Sequence, residues 1–172
     1  MKTNVVLSGI IALLSLIACT SDGLDEQPMK IEVSIKGELP NTKFKGFDGN
    51  YKAIEIVLTN NTDTTIQFWE MSCSWQDSWR FNCDSIFFYS PGCDHNFPII
   101  RKLKARQKIL YHGVLCAFFK QEALCPKHIQ LGFVLIKDNE LSLEKDNFRD
   151  ILAEKSKKQN LILWSKPFQI EN

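Results

Sequence analysis

Six cysteines and three histidines are the residues of this 172-residue chain best suited to covalent or metal chemistry. Cys93-Asp94-His95 sets a thiol two residues from an imidazole. A Cys–His pair can act as an acyl-transfer nucleophile only with a third orienting group and oxyanion donors. The sequence offers neither, and it carries no Ser/His/Asp set, paired carboxylates or glycine-rich phosphate loop. Catalysis is therefore not expected, nor is a cofactor. Zinc ligands usually come in pairs two to four residues apart. From Cys73 onward the cysteine spacings are ten, ten, twenty-three and nine, so no metal site is expected either. In an oxidising compartment these thiols should pair with one another. Five cysteines follow Cys19, which predicts two disulfides and one free thiol. Cys116–Cys125 would close a short loop and Cys83–Cys93 would pin an aromatic segment, leaving Cys73 as the free thiol. Cys73–Cys93 and Cys73–Cys83 remain alternatives, since sequence does not fix connectivity. Closing a loop of about ten residues contributes roughly 2–3 kcal/mol in the chain-entropy picture.

The second candidate lies inside the same cysteine-rich stretch, Met71–Cys93. Trp75 and Trp79 stand four apart, beside Asp77 and Arg80. On a loop, two aromatic rings with polar neighbours suit a sugar or a protein partner. On a single helical turn both rings would face the core and cap it. The sequence leaves both readings open.

The N-terminus bears on where the protein resides. Lys2 is followed by an apolar run from Val5 to Ala18, too short and wrongly flanked for a membrane span, which reads as a secretory segment. It closes on Leu16-Ile17-Ala18-Cys19, which resembles the bacterial lipoprotein lipobox. The resemblance implies lipidation of Cys19, cleavage ahead of it, and anchoring of several acyl chains in a bilayer at ~0.8 kcal/mol per buried methylene. Residues 1–18 would then be the signal peptide. Residues 19–28 form an acidic tether with too little apolar content to fold. This tether resembles those of Bacteroidetes-type lipoproteins, where such tethers can direct surface exposure. The implied location is the bacterial cell envelope, as an outer-membrane lipoprotein facing periplasm or surface. Asp63-Thr64-Thr65 and Asp84-Ser85-Ile86 resemble the O-glycosylation tripeptide of the same group of proteins, but ordinary turn composition is the favoured account of both.

Cleavage would leave 154 residues with 20 Lys+Arg against 20 Asp+Glu. That length fits one domain with a true core, residues 29–172. The balanced charge gives no electrostatic reason to expect nucleic acid.

The elements that must hold these residues read as strands. Lys30–Glu38 alternates, with Ile31, Val33 and Ile35 on one face. Tyr51–Thr59 alternates with Ile54, Ile56 and Leu58 on one face, apolar enough on both to lie centrally in a sheet. Asn60–Asp63 is a turn, and Thr65–Met71 is expected to return as a hairpin with Ile66, Phe68 and Glu70 on one face. Ser85–Tyr89, Gln107–Val114, His128–Lys137 and Leu161–Ile170 are further strands, the last with Pro167 at an edge or bulge. Phe148, Ile151, Leu152 and Lys155 recur at helical spacing and predict a short amphipathic helix lying on the sheet. About seven strands joined mostly by turns, with one helical insertion, define an all-β, immunoglobulin-like sandwich. The pattern resembles Bacteroidetes-type lipoproteins of unknown function with an immunoglobulin-like domain. The resulting expectation is a lipid-anchored interaction module for an envelope protein or glycan, with a purely structural envelope component as the alternative.

Overall fold

The computed structural model describes residues 27–40, 50–90, 92–117, 126, 128–142 and 147–170. The signal segment, Cys19 and Cys125 lie outside the described residues.

The chain forms β1 (Met29–Leu39), β2 (Asn50–Asn60), β3 (Ile66–Met71), β4 (Trp79–Phe81), β5 (Ile86–Tyr89), β6 (Pro98–Leu103), β7 (Lys108–Ala117), β8 (Leu131–Val134) and β9 (Ile162–Trp164). Among the described residues one α-helix, α1 (Phe148–Ser156), precedes β9. One sheet has the order β1-β2-β7-β5, all antiparallel. Opposite it lie β4-β8-β9 and the pair β3-β6. The Trp69 N–H donates to the Ile136 carbonyl at 2.8 Å, and Phe68 bridges Lys137. These contacts lay β3 along the continuation of β8. β3 and β4 therefore read as one strand interrupted at Ser72–Ser78. In chain order the two layers reproduce the ABED and CFG sheets of a constant-type immunoglobulin sandwich, with β6 added beside the third strand. The interrupted strand and β6 explain why nine strands stand among the described residues where about seven are expected.

Alternation makes the core. From β2, Ile54, Ile56 and Leu58 point inward to meet Leu115 of β7, Phe68 of β3 and Leu131 and Phe133 of β8. Burying each such side chain contributes about 1.5–3 kcal/mol. β8 is buried on both faces, because α1 lies on the outer side of its sheet. There Phe148 and Leu152, one helical turn apart, pack with Trp69, Val134, Ile136, Leu141 and Ile162. Asn147 caps the helix, its side chain accepting from the Arg149 N–H at 3.0 Å.

The expected β2–β3 hairpin does not form. β3 pairs with β6, so the chain changes sheets between β2 and β3. The buried Asn60 side chain fixes that corner, donating to the carbonyls of Thr64, Leu103 and Lys104 and accepting from the Thr62 N–H. A corner stitched to residues forty positions away cannot be read from a local turn signal. The expected final strand is likewise shorter: β9 ends at Trp164, and Phe168 returns only as a bridge to Ile129.

Candidate functional site

The interruption between β3 and β4 positions Trp75 and Trp79. Residues Trp75–Ser78 form a short 3-10 turn, so both rings swing inward. Trp79 is 2% exposed and lies 4.8 Å from the Phe133 ring and 5.7 Å from Tyr111. Trp75 is half-buried, 4.9 Å from Tyr111 and 5.4 Å from Phe88. It lies on Gly113 of β7, where an added Cβ would come within 3.2 Å of the indole. The core reading of the tryptophans is therefore correct for Trp79 and largely so for Trp75.

Three connections hold this turn in place. Cys73 and Cys93 form a disulfide with a Cα–Cα distance of 6.2 Å. Asn96 clamps the turn: its side-chain oxygen accepts from the N–H groups of Cys73 and Ser74, both at 3.3 Å, and its amide donates to Ser74 Oγ. Ser74 Oγ in turn donates to Asp77 Oδ2 at 3.1 Å. The disulfide corrects two expectations. Cys73 is not the free thiol, and Cys93 pairs with Cys73 rather than with Cys83. Cys116 is buried and free, so it does not pair with Cys125. Burial pushes the Cys116 thiol above its ordinary pKa, while a hydrogen bond involving Tyr51 works the other way. Cys83 is disulfide-bonded, as expected of it, though to neither Cys73 nor Cys93. Bonding of Cys93 also leaves no thiolate beside His95, which removes the candidate nucleophile.

Asp77, Trp79 and Arg80 meet at a cleft of about 310 Å³, whose walls also include Gln76, Phe81, Phe87 and Phe88. Trp75 is not among its lining residues. Arg80 Nη1 donates to the Asp77 and Trp79 carbonyls, both at 2.7 Å. Among the described residues, its Nε and Nη2 meet no acceptor. Burial lowers the Arg80 pKa, with the Asp77 charge opposing. Among the described residues, the buried Gln76 side-chain oxygen, Ser78 hydroxyl and Trp79 indole N–H meet no partner. Polar groups so placed are costly unless something satisfies them. The cleft thus offers aromatic walls and a half-buried guanidinium with spare donors. Of the two glycosylation-like tripeptides, Thr64 is exposed while Ser85 is buried at 4%.

One feature beneath the tryptophans was only partly legible. Glu70 of β3 is fully buried and faces the core. It accepts from the Tyr111 hydroxyl at 2.9 Å and from Arg101 of β6. Burial, and then the Glu70 charge, push the Tyr111 hydroxyl far above its usual pKa. The alternation Ile66, Phe68, Glu70 signalled the face. Nothing local signalled Tyr111, forty-one residues on, or the Asn96 clamp.

Fold and site together define an all-β, immunoglobulin-like sandwich with one covering helix. No family model matches the chain, and no curated protein does. The crystal structure of a FixG-related protein from Vibrio parahaemolyticus is similar at 11% identity and a TM-score of 0.36, covering 67% of this chain and 88% of that one.

Proposed function

We propose that the protein is a lipid-anchored binding module of the bacterial cell envelope, held at the outer membrane through Cys19, whose Trp79–Arg80 cleft takes a glycan. The anchor rests on the Leu16–Cys19 signal and the acidic tether. The observation that carries the glycan reading is the pairing of aromatic walls with the unused donors of Arg80 in a cleft of about 310 Å³. Sugars present an apolar ring face to aromatic side chains and hydroxyls to planar polar groups, which is the chemistry available here.

Titrating envelope oligosaccharides against the purified protein by calorimetry tests the reading. Arg80→Gln should weaken binding by about tenfold, equivalent to roughly 1.4 kcal/mol, while leaving the fold intact. A parent protein that binds no glycan, or a variant that binds as well as the parent, would overturn it. A purely structural role would appear as the first of these outcomes. A protein partner is the second reading, favoured by Phe97 and by Ile100 of β6, both exposed. Cross-links to envelope proteins that map to these two residues and persist in Arg80→Gln would support it. The anchor has its own test, because Cys19→Ser should move the protein from the detergent phase to the aqueous phase.

A further inference from the structure

A second and larger cleft, of about 540 Å³, shares no lining residue with the first. It opens at the end of the sandwich between the inward face of β1-β2 and the segment carrying Phe168. Val33, Ile35 and Phe168 form its apolar walls, and Lys52, Glu38 and Lys36 its charged part, Lys36 being already paired with Glu55 at 2.9 Å. Lys52 occupies a core-facing position. It extends the inward series Leu58, Ile56, Ile54 by one more step, and that step brings a charge where the pattern calls for an apolar residue.

Lys52 is only 5% exposed. Its ammonium carries three donors, yet among the described residues it makes no hydrogen bond. Its ion partner is Glu38, directly opposite in register, at 3.6 Å. That distance lies beyond hydrogen-bond range, and Glu38 itself is mostly exposed. The opening has a specific cause. A bulge between Ile35 and Gly37 inserts an extra residue into β1, and Gly37 takes a φ of 137°, a conformation that a side chain would strain. The bulge ends the regular inward alternation of β1 and places Glu38 across from Lys52. A buried cation is normally paired and hydrogen-bonded. Among the described residues this one meets no hydrogen-bond acceptor, and it lines a cleft whose walls include Val33, Ile35 and Phe168.

We propose that this end cleft binds an amphipathic anion, a single carboxylate-like head on an apolar body, with the head on Lys52 and the body against Val33, Ile35 and Phe168. The anion supplies the hydrogen bonds that the ammonium lacks, and Glu38 competes with it for the same charge.

The fluorescence of 8-anilinonaphthalene-1-sulfonate, an anionic head on an apolar body, reads binding directly on the purified protein. Lys52→Met should weaken it at least tenfold, Lys52→Arg should retain it, and Glu38→Gln should tighten it several-fold by removing the competing carboxylate. Octanoate should displace the probe, whereas octanol should do so at least tenfold less well and inorganic phosphate not at all. Undiminished binding in a folded Lys52→Met protein would overturn the proposal. Phosphate competing as well as octanoate would also overturn it, because the apolar body would then play no part. Should Lys52→Met fail to fold, Glu38→Gln decides alone, since unchanged or weaker binding there contradicts the competition that the geometry requires.

Discussion

Among the described residues two charges occupy core-facing positions, Glu70 on β3 and Lys52 on β2, and the fold treats them in opposite ways. Glu70 is fully buried, and both of its oxygens are engaged, one by the Tyr111 hydroxyl from the facing sheet and one by Arg101 from the neighbouring strand. Lys52 is nearly as buried, but it has one ion contact at 3.6 Å and no hydrogen bond among the described residues. A satisfied buried charge acts as structure, linking two layers at a fixed register. An unsatisfied one at the mouth of a cleft is kept at a cost to stability, which is the usual mark of a site. The surroundings follow the same division. The Glu70 end is closed by the Cys73–Cys93 disulfide, the Asn96 clamp and the tilted and edge-on rings of Trp75, Trp79 and Tyr111. The Lys52 end is opened by a bulge.

Breaking the Glu70 end should be costly. Glu70→Ala removes the shared acceptor, leaves the buried Tyr111 hydroxyl without a partner and opens a void between the sheets. A loss of about 3–5 kcal/mol is expected in urea unfolding, the range found when one partner of a buried pair is deleted. A loss under about 1 kcal/mol would mean that the link contributes little and that the contrast with Lys52 is false. The disulfide comes next. Cys73 follows β3 and Cys93 precedes β6, so the bond closes the end of the strand pair that carries Glu70 and Arg101. The separation is 20 residues, and Cys73→Ser with Cys93→Ser should lower stability by about 3 kcal/mol in the chain-entropy model. Non-reducing peptide mapping of the parent should recover Cys73 joined to Cys93, with Cys116 alkylated only after unfolding. Tyr111→Phe is gentler. It deletes one hydrogen bond to a charged group and leaves Arg101 in place, for a loss of about 1.5–3 kcal/mol.

The same contrast shows what the sequence could disclose. Period-two alternation placed the strands, named Phe68 and Glu70 as sharing a face, and put β2 in the interior of its sheet. Helical spacing at Phe148 and Leu152 located α1. These signals are local, and each element carries its own pattern. The partners are not local. Tyr111 meets Glu70 because β7 and β3 face each other across the core. The β2–β3 hairpin fails because Asn60 is bonded to Leu103 and Lys104, at and just past the end of β6. Cysteine spacing gave no Cα separations, so Cys73–Cys93 could be no more than one alternative among several, and the pairing assigned to Cys116 was wrong. Met71–Cys93 drew attention because its unusual residues are contiguous. Lys52 did not, because its cleft is assembled from β1, β2 and the segment at Phe168, and its only trace in sequence is a lysine heading the Ile54-Ile56-Leu58 series.

The smallest expected effect on stability is the most discriminating. Lys52→Met keeps the length of the side chain and removes the charge. If Lys52 were structural in the way Glu70 is, the substitution would destabilise the protein by several kcal/mol. Since among the described residues the ammonium makes no hydrogen bond that would be lost, its removal deletes mainly a desolvation cost, and methionine can extend the apolar row of β2. Replacing a poorly compensated buried ion by an apolar side chain of similar volume is often neutral or stabilising. The urea midpoint should therefore stay in place or rise, by up to about 2 kcal/mol of stability with an unchanged slope, while binding of the anionic probe falls. Stability kept and binding lost assigns the lysine to a ligand. A loss of more than about 2 kcal/mol would place Lys52 beside Glu70 as a structural charge, and the distinction between the two ends of the sandwich would disappear.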